Sequence, residues 1–225
     1  RITYSDAVGT LKSDSAQKFL AGQLENFKAQ KDATQEKIKT LEGEQAQPGT
    51  KQWRKDKIAA ELIDLRGDVA ELEAKIENNP KHAQLAAEFK WGKDLGGSDE
   101  TIISLMHEKP VFVTHYPRDA KAFYMRQDRG DGRVVENFDL LAPQGFGEVI
   151  GGSAREDDYE RLLGRIKEEG YDPANYQWYL DLRKYGSVPH GGFGLGIERT
   201  VAWITGEKHI RQCIAFPRMM EKIYI

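Results

Sequence analysis

The sequence predicts an α+β protein: an antiparallel sheet flanked by helices, with an antiparallel helical hairpin inserted into it. Three observations carry this reading. Two stretches near the start of the chain repeat apolar residues at alternating spacings of four and three. Short β-branched runs separated by turn residues follow Phe89. A glycine-rich run then leads into a second apolar helical pattern. The 225 residues suit one large domain or two small ones.

Taken in order, residues 1–13 are a short opening segment. Residues 14–88 are rich in Ala, Glu, Lys, Gln and Leu, all helix formers. Leu20, Leu24, Phe27, Lys31, Thr34, Ile38 and Leu41 form one seam, and Ile58, Leu62, Leu65, Val69, Leu72 and Ile76 form the other. Residues 43–50 between them are turn chemistry, so the two helices must be antiparallel neighbours. Each arm should run roughly 25 residues, about 35–40 Å, and Asn78-Asn79-Pro80 should close the second. Lys31 and Thr34 should weaken the pairing where they interrupt the first seam. The hairpin is either an RNA- or partner-touching arm or a solvated spacer. Its charges are balanced without a one-sided basic stripe, which favours the spacer.

Residues 89–225 read as mixed α and β and join residues 1–13 as one domain. Strands are expected at 110–117, 122–126, 134–141 and 146–153, with Asp128-Arg129-Gly130-Asp131-Gly132 as a turn. Connections this short imply an antiparallel meander. Helices should cover 156–169 and 174–185, and the helix through Val201, Ala202, Trp203 and Ile204 follows the glycine-rich run.

The residue types already limit the chemistry. Cys213 is the single cysteine, so an internal disulfide is impossible and a reducing compartment fits. No apolar run approaches the roughly 18 residues of a membrane span, and no basic-then-apolar leader opens the chain. A net charge of -3 means that nucleic acid must be met by a local patch rather than by the whole surface. His82, His107 and His209 lack partners at zinc-ligand spacing. Asp139 and Glu148 fall on adjacent expected strands. On one face they would form a carboxylate pair suited to Mg²⁺, and otherwise they are surface acids. Gly151-Gly152 allows close approach to the sheet, or marks a bulge. Arg155 could grip a carboxylate or amide with two prongs. The glycine-rich run before Arg199 lacks the Gly-Lys-Ser/Thr ending of a P-loop. Its glycines would clear a sheet face for a planar base, which Arg199 could cover.

The combination is more specific than its parts. Gly147-Glu148-Val149-Ile150-Gly151-Gly152-Ser153-Ala154-Arg155-Glu156 resembles the asparaginyl and aspartyl branch of the class II aminoacyl-tRNA synthetases. Tyr185-Gly186-Ser187-Val188-Pro189-His190-Gly191-Gly192-Phe193-Gly194-Leu195-Gly196-Ile197-Glu198-Arg199 resembles the motif 3 of that class. Thr114-His115-Tyr116-Pro117, Lys121-Ala122-Phe123-Tyr124-Met125, Trp178-Tyr179-Leu180-Asp181-Leu182-Arg183 and Phe216-Pro217-Arg218 are similar to the asparaginyl members. The hairpin lies outside the family pattern.

The resemblance implies a class II catalytic sheet and a two-step reaction. Asparagine is activated by ATP to asparaginyl-adenylate, and the asparaginyl group then passes to tRNA(Asn). It further implies that Asp139 and Glu148 hold Mg²⁺ and that Arg199 is the catalytic arginine. Glu148, Gly192, Gly194, Gly196 and Arg199 would bind ATP. Arg155, with Ser153 in a weaker role, would bind the amino acid, and His190 would be a supporting group. A cytoplasmic enzyme, homodimeric as a whole protein and free of membrane, is expected.

The match is partial. Neither a motif 1 nor the Phe/Tyr-Arg-x-Glu of motif 2 is found, the N-terminal anticodon-binding barrel is missing, and the sequence opens at Arg1. The expectation is a C-terminal portion of a longer enzyme, largely inactive alone because the α-phosphate would lack its arginine. Two alternatives stay open: a related enzyme that adenylates without charging tRNA, and a non-catalytic paralogue acting as a binding module.

Overall fold

The computed structural model describes residues 1–207 and 209–218. The chain divides into two compact units, one of Arg1–Leu11 with Lys90–Ile225 and the other of Lys12–Phe89.

The first unit is built on a five-stranded sheet in the order β1 (Ile2–Thr3), β2 (Val111–Thr114), β3 (Asn137–Ala142), β4 (Gly147–Ala154), β5 (Gly191–Leu195). The last four strands pair antiparallel, but only β3 and β4 are joined by a turn of the expected length, and β1 lies parallel to β2 and makes the sheet mixed. Helix α1 (Tyr4–Leu11) follows β1. Its Tyr4 and Leu11 are fully buried, as are Ile103, Val113, Tyr116 and Leu141. Helix α4 (Gly97–Leu105) starts where the Asp99 carboxylate accepts a bond from the Gly96 N–H at 3.0 Å. Helices α5 (Tyr159–Glu168) and α6 (Gln177–Lys184) bury Leu162, Ile166 and Leu180 against Phe123, Tyr176 and Tyr179. Helix α7 (Ile197–Thr205) ends on Gly206 at φ 75°, a left-handed cap that suits glycine.

Two strand expectations fail. Residues 122–126 form no strand, and Met125 and Gln127 make only isolated bridges to Arg155 and Val135. The aromatic run there serves packing instead, since the Phe123 ring meets those of Tyr171 and Tyr176 at 5.8 and 5.0 Å. Val134 and Val135 precede β3 rather than belong to it.

The second unit is an antiparallel pair of helices, α2 (Asp14–Ala46) and α3 (Gln52–Ala87). Ser13 caps α2 by accepting from the Ala16 N–H at 3.1 Å. Leu41, Ile58 and Leu62 form a buried cluster with Ile38 and Leu65 against it. The partners run in opposite directions along the arms: Glu44 with Arg54, Lys37 with Glu61, Lys31 with Glu73, and Gln17 with the Ala83 carbonyl. Lys31, which breaks the apolar seam, therefore meets a carboxylate of the facing helix at 2.9 Å. The arms are longer than expected, at 33 and 36 residues or about 50 Å. Helix α3 runs through Pro80 to Ala87. A proline forfeits the N–H bond one turn back, and the helix formers Ala83, Gln84, Leu85 and Ala86 carry the helix past that loss.

Candidate active site

The site lies on one face of β3, β4 and β5. Side chains alternate between the faces of a strand, so residues an odd number apart normally point opposite ways. Glu148 and Gly151 are three apart and would be separated. Asp139 pairs with Gly151 and Leu140 with Ile150, but Leu141 pairs with Glu148, so Val149 is an extra residue. This bulge resets the parity and returns Glu148 to the face of Asp139 and Gly151. The sequence places the bulge option at Gly151-Gly152, whereas the structure places it at Val149, two residues earlier along β4.

The two carboxylates converge above Gly151. A methyl group there would stand 2.5 Å from Glu148 Oε1 and 3.3 Å from Asp139 Oδ1. Gly152 faces the other way, where a methyl group would meet the Phe138 ring at 2.7 Å and the Phe193 Cβ at 2.9 Å. The adjacent glycines thus make room for different things, one for the site and one for packing.

Four groups around the pair were missed by the sequence reading. Glu100, on α4, accepts from the Glu148 N–H at 3.2 Å. Lys121 lies 3.3 Å from Asp139 Oδ2 and 2.9 Å from Asp94. Its ammonium also sits 4.1 Å from the ring centre of the buried Tyr116. In the sequence, Glu100 reads as an ordinary first-turn acid and Asp94 as a loop residue, and neither is in a motif. Lys121 and Tyr116 belong to motif pieces but carry no visible role.

Burial raises the pKa of Asp139, with the neighbouring Lys121 pulling it back. Burial, and then the nearby Asp139, raises Glu148. Burial and the charges of Glu148 and Asp139 lift Glu100 to about 7, against a counteracting bond from the Glu148 N–H. Burial alone would lower Lys121, but Asp139 and Asp94 outweigh it and hold the ammonium charged. Like charges gathered in this way favour an added cation.

Arg199, at the first turn of α7, donates to the Glu148 carbonyl at 2.7 Å and stands 3.7 Å from the Glu148 carboxylate. Its side chain is half exposed. Gly196 lies beneath its side chain, since a methyl there would touch the Arg199 carbons at 3.4 Å. Gly194 pairs with Gly151 and is open above.

One pair further along β4, a second cluster shares this face. Ser153 is buried, and its hydroxyl accepts from Arg155. The Arg155 guanidinium lies 4.8 Å from the Tyr124 ring centre, beside a pocket walled by Phe123, Tyr176, Trp178 and Tyr179. A methyl group on Gly192 would press on it at 3.0 Å, so this glycine serves Arg155. The sequence reading gave Gly192 to the nucleotide side. His190 supports the cluster through its backbone, its carbonyl accepting from the Arg155 N–H at 2.9 Å. The buried Arg183 reaches His190 Nε2 at 3.4 Å.

The donor set fits Mg²⁺. Among the described residues no three His, Cys, Asp or Glu side chains form a ready cage. A magnesium ion usually takes only one or two carboxylates, with water and phosphate oxygens supplying the rest. Asp139 and Glu148 offer two such carboxylates beside a half-exposed arginine.

The family described as tRNA synthetases class II (D, K and N) matches residues 1–220. An asparagine–tRNA ligase of Pyrococcus furiosus is 57% identical over 135 residues, covering 60% of this chain and 31% of the relative. One from Herpetosiphon aurantiacus is 54% identical over 145 residues, covering 64% of this chain and 32% of the relative. The chain thus spans about a third of the length of the curated relatives it matches. Asparaginyl-tRNA synthetase from Pyrococcus horikoshii, solved with asparaginyl-adenylate, has a TM-score of 0.60 and 40% identity over 79% of this chain and 46% of that one. An aspartyl-tRNA synthetase from Entamoeba histolytica gives 0.56 and 25% over 64% and 31%.

Proposed function

Because this chain belongs to the class II tRNA synthetases of the D, K and N group, we propose that it carries the amino-acid-activating face of an asparagine–tRNA ligase. In the proposed reaction the asparagine carboxylate attacks the α-phosphate of ATP, giving asparaginyl-adenylate and pyrophosphate. The terminal ribose hydroxyl of tRNA(Asn) then takes the asparaginyl group, and AMP leaves. The observation that carries the reading is the order of groups on one sheet face. A convergent carboxylate pair with Arg199 comes first, and Arg155 in its aromatic pocket follows at the far end of β4.

Little of this chemistry needs a protein base, because positioning and charge do most of it. Asp139 and Glu148 would hold Mg²⁺, which supplies charge neutralisation to the ATP phosphates when bound. Arg199, anchored on the Glu148 carbonyl, keeps its outer edge for the adenine and the γ-phosphate. The open strip over Gly194 gives a flat base room beside it. Arg155 presents donors to the side-chain oxygen of asparagine, and the Ser153 hydroxyl fixes its fork. Asparagine is preferred to aspartate because the named relatives at 54–57% identity are asparagine enzymes and the aspartyl structure stands at 25%.

The same reading makes the whole protein a cytoplasmic homodimer and the hairpin a coiled coil. Among the described residues no helix is long and apolar enough to cross a membrane.

The test is ATP–pyrophosphate exchange with asparagine, aspartate and lysine, run on the longest natural form and on the 225-residue chain. Asparagine-dependent exchange by the long form, lost on Arg199→Ala, is the expected result. The 225-residue chain should exchange far more slowly, since it brings no motif 2 arginine to the α-phosphate. A folded long form without exchange would end the catalytic reading.

A further inference from the structure

Two arginines are buried among the described residues, Arg165 and Arg183. Arg165 behaves as a buried cation should and meets the Glu169 carboxylate at 2.6 Å. Arg183, near the end of α6, is only 6% exposed, yet among the described residues it meets no carboxylate. Every group it reaches is neutral. Its Nε donates to the Glu156 carbonyl at 2.9 Å, Nη1 to the Tyr179 carbonyl at 3.2 Å and Nη2 to the Tyr179 hydroxyl at 2.9 Å. Nη2 also lies 3.4 Å from His190 Nε2, which is free to accept because Nδ1 donates to the Val188 carbonyl at 2.8 Å. The guanidinium stands 4.0 Å from the Tyr179 ring centre.

Burying a guanidinium without a counter-ion is costly, and an apolar side chain would fill the space more cheaply. The partners of Arg183 explain its presence, because all three adjoin Arg155. Glu156 is the chain neighbour of Arg155, and its N–H donates to the carbonyl of Tyr124, whose ring lies beside the Arg155 guanidinium. Tyr179 walls the pocket next to that guanidinium. The His190 carbonyl accepts from the Arg155 N–H at 2.9 Å. Arg183 therefore ties together the chain just past β4, helix α6 and the segment entering β5. A planar fork suits this task, since its N–H groups fix the angles between partners as well as the distances. Four bonds and deep burial leave it no edge for a substrate.

We propose that Arg183 is a positioning residue, which fixes the frame in which Arg155 meets the side chain of asparagine. The choice of asparagine rests on the ligase reading above, while the frame rests on bonds within this chain.

The experiment uses the longest natural form with the variants Arg183→Met, Arg183→Lys and Tyr179→Phe. ATP–pyrophosphate exchange gives KM for asparagine and for ATP. Hydrogen–deuterium exchange follows residues 153–156 and 188–192, with residues 137–142 as the reference, and urea unfolding reads global stability. In Arg183→Met the KM for asparagine should rise about tenfold or more, while that for ATP stays within about twofold. Deuterium uptake should quicken in both frame segments and stay unchanged in the reference. Arg183→Lys should resemble Arg183→Met, because one ammonium cannot span three partners. Tyr179→Phe loses one bond and little volume, so it should show the same pattern with about a threefold rise, and add nothing further to Arg183→Met. That variant carries the test if Arg183→Met does not fold. Equal rises in both KM values, or an unchanged asparagine KM with unchanged uptake in the frame, would overturn the proposal. Absent asparagine-dependent exchange in the unsubstituted protein would instead sink the ligase reading, and deuterium uptake would still decide whether Arg183 holds the frame.

Discussion

At the scale of single residues, the neighbouring glycines of β4 make separable predictions. A methyl group on Gly151 would collide with the far end of the Glu148 side chain, which is free to swing. Gly151→Ala should therefore melt within a few degrees of the parent yet lose at least tenfold in exchange, because the carboxylates no longer converge. A methyl group on Gly152 would meet the Phe138 ring and the Phe193 Cβ, and the Cβ is fixed to the backbone of the neighbouring strand. Gly152→Ala should cost about 1–3 kcal/mol of stability, read as a lowered midpoint in urea. Equal stability losses in the two variants would refute this division of labour. Arg155→Lys tests the amino-acid side of the site. It keeps the charge and loses the planar fork, so KM for asparagine should rise about tenfold or more while KM for ATP stays put. If both constants moved together, Arg155 would be serving the sheet rather than the substrate.

At the scale of elements, the hairpin invites two measurements. Ile58 is fully buried between the arms, so Ile58→Ala should cost about 2–4 kcal/mol of helical unfolding. The inter-arm pairs add a dependence on pH. Glu44 is held below its ordinary range by its bond from Arg54, and Glu61 by its bond from Lys37. A depressed carboxylate stabilises the fold fully above its unfolded pKa, and that stability drains away as pH falls through the lower folded value. Helicity at a fixed urea concentration should therefore hold above about pH 4.5 and decline below it, less steeply in high salt. The long seams were the most legible part of the sequence, because a period sustained over many turns has few other readings. Their ends were not legible. Proline reads as a stop because it loses an N–H bond and its ring crowds the carbonyl one turn back, yet α3 continues through Pro80 to Ala87. The run at 122–126 misled for the opposite reason: β-like composition there reflects Phe123 packing on Tyr171 and Tyr176, which no local pattern reveals.

At the scale of the whole molecule, the legible part of the site was the part written in contiguous motifs. Glu148, Ser153, Arg155 and Arg199 sit in unbroken strings around β4 and β5, and the resemblance of those strings to a family pattern singles them out. Glu100, Asp94 and Lys121 reach the same carboxylates from α4 and the surrounding loops, and only the folded sheet brings them in. Nor does spacing disclose the bulge at Val149, although without it Glu148 would point to the wrong face. The edge strand adds a kinetic consequence. Ile2 pairs with Val113, so the first strand of the sheet must find a partner more than a hundred residues away. The chain between them is not slack, because the Gln17 side chain bonds the Ala83 carbonyl at the base of the arms. Helical hairpins built on local contacts form early, and this one would shorten the connecting chain before the sheet closes. Reducing the effective loop severalfold lowers the closure cost by about 1 kcal/mol, enough for a severalfold faster search. Refolding of the sheet, followed by the fluorescence of Trp91, should accordingly slow severalfold in Ile58→Ala, a residue with no place in the sheet. The inserted arm would then act as a clasp that draws in the slack before the strands meet.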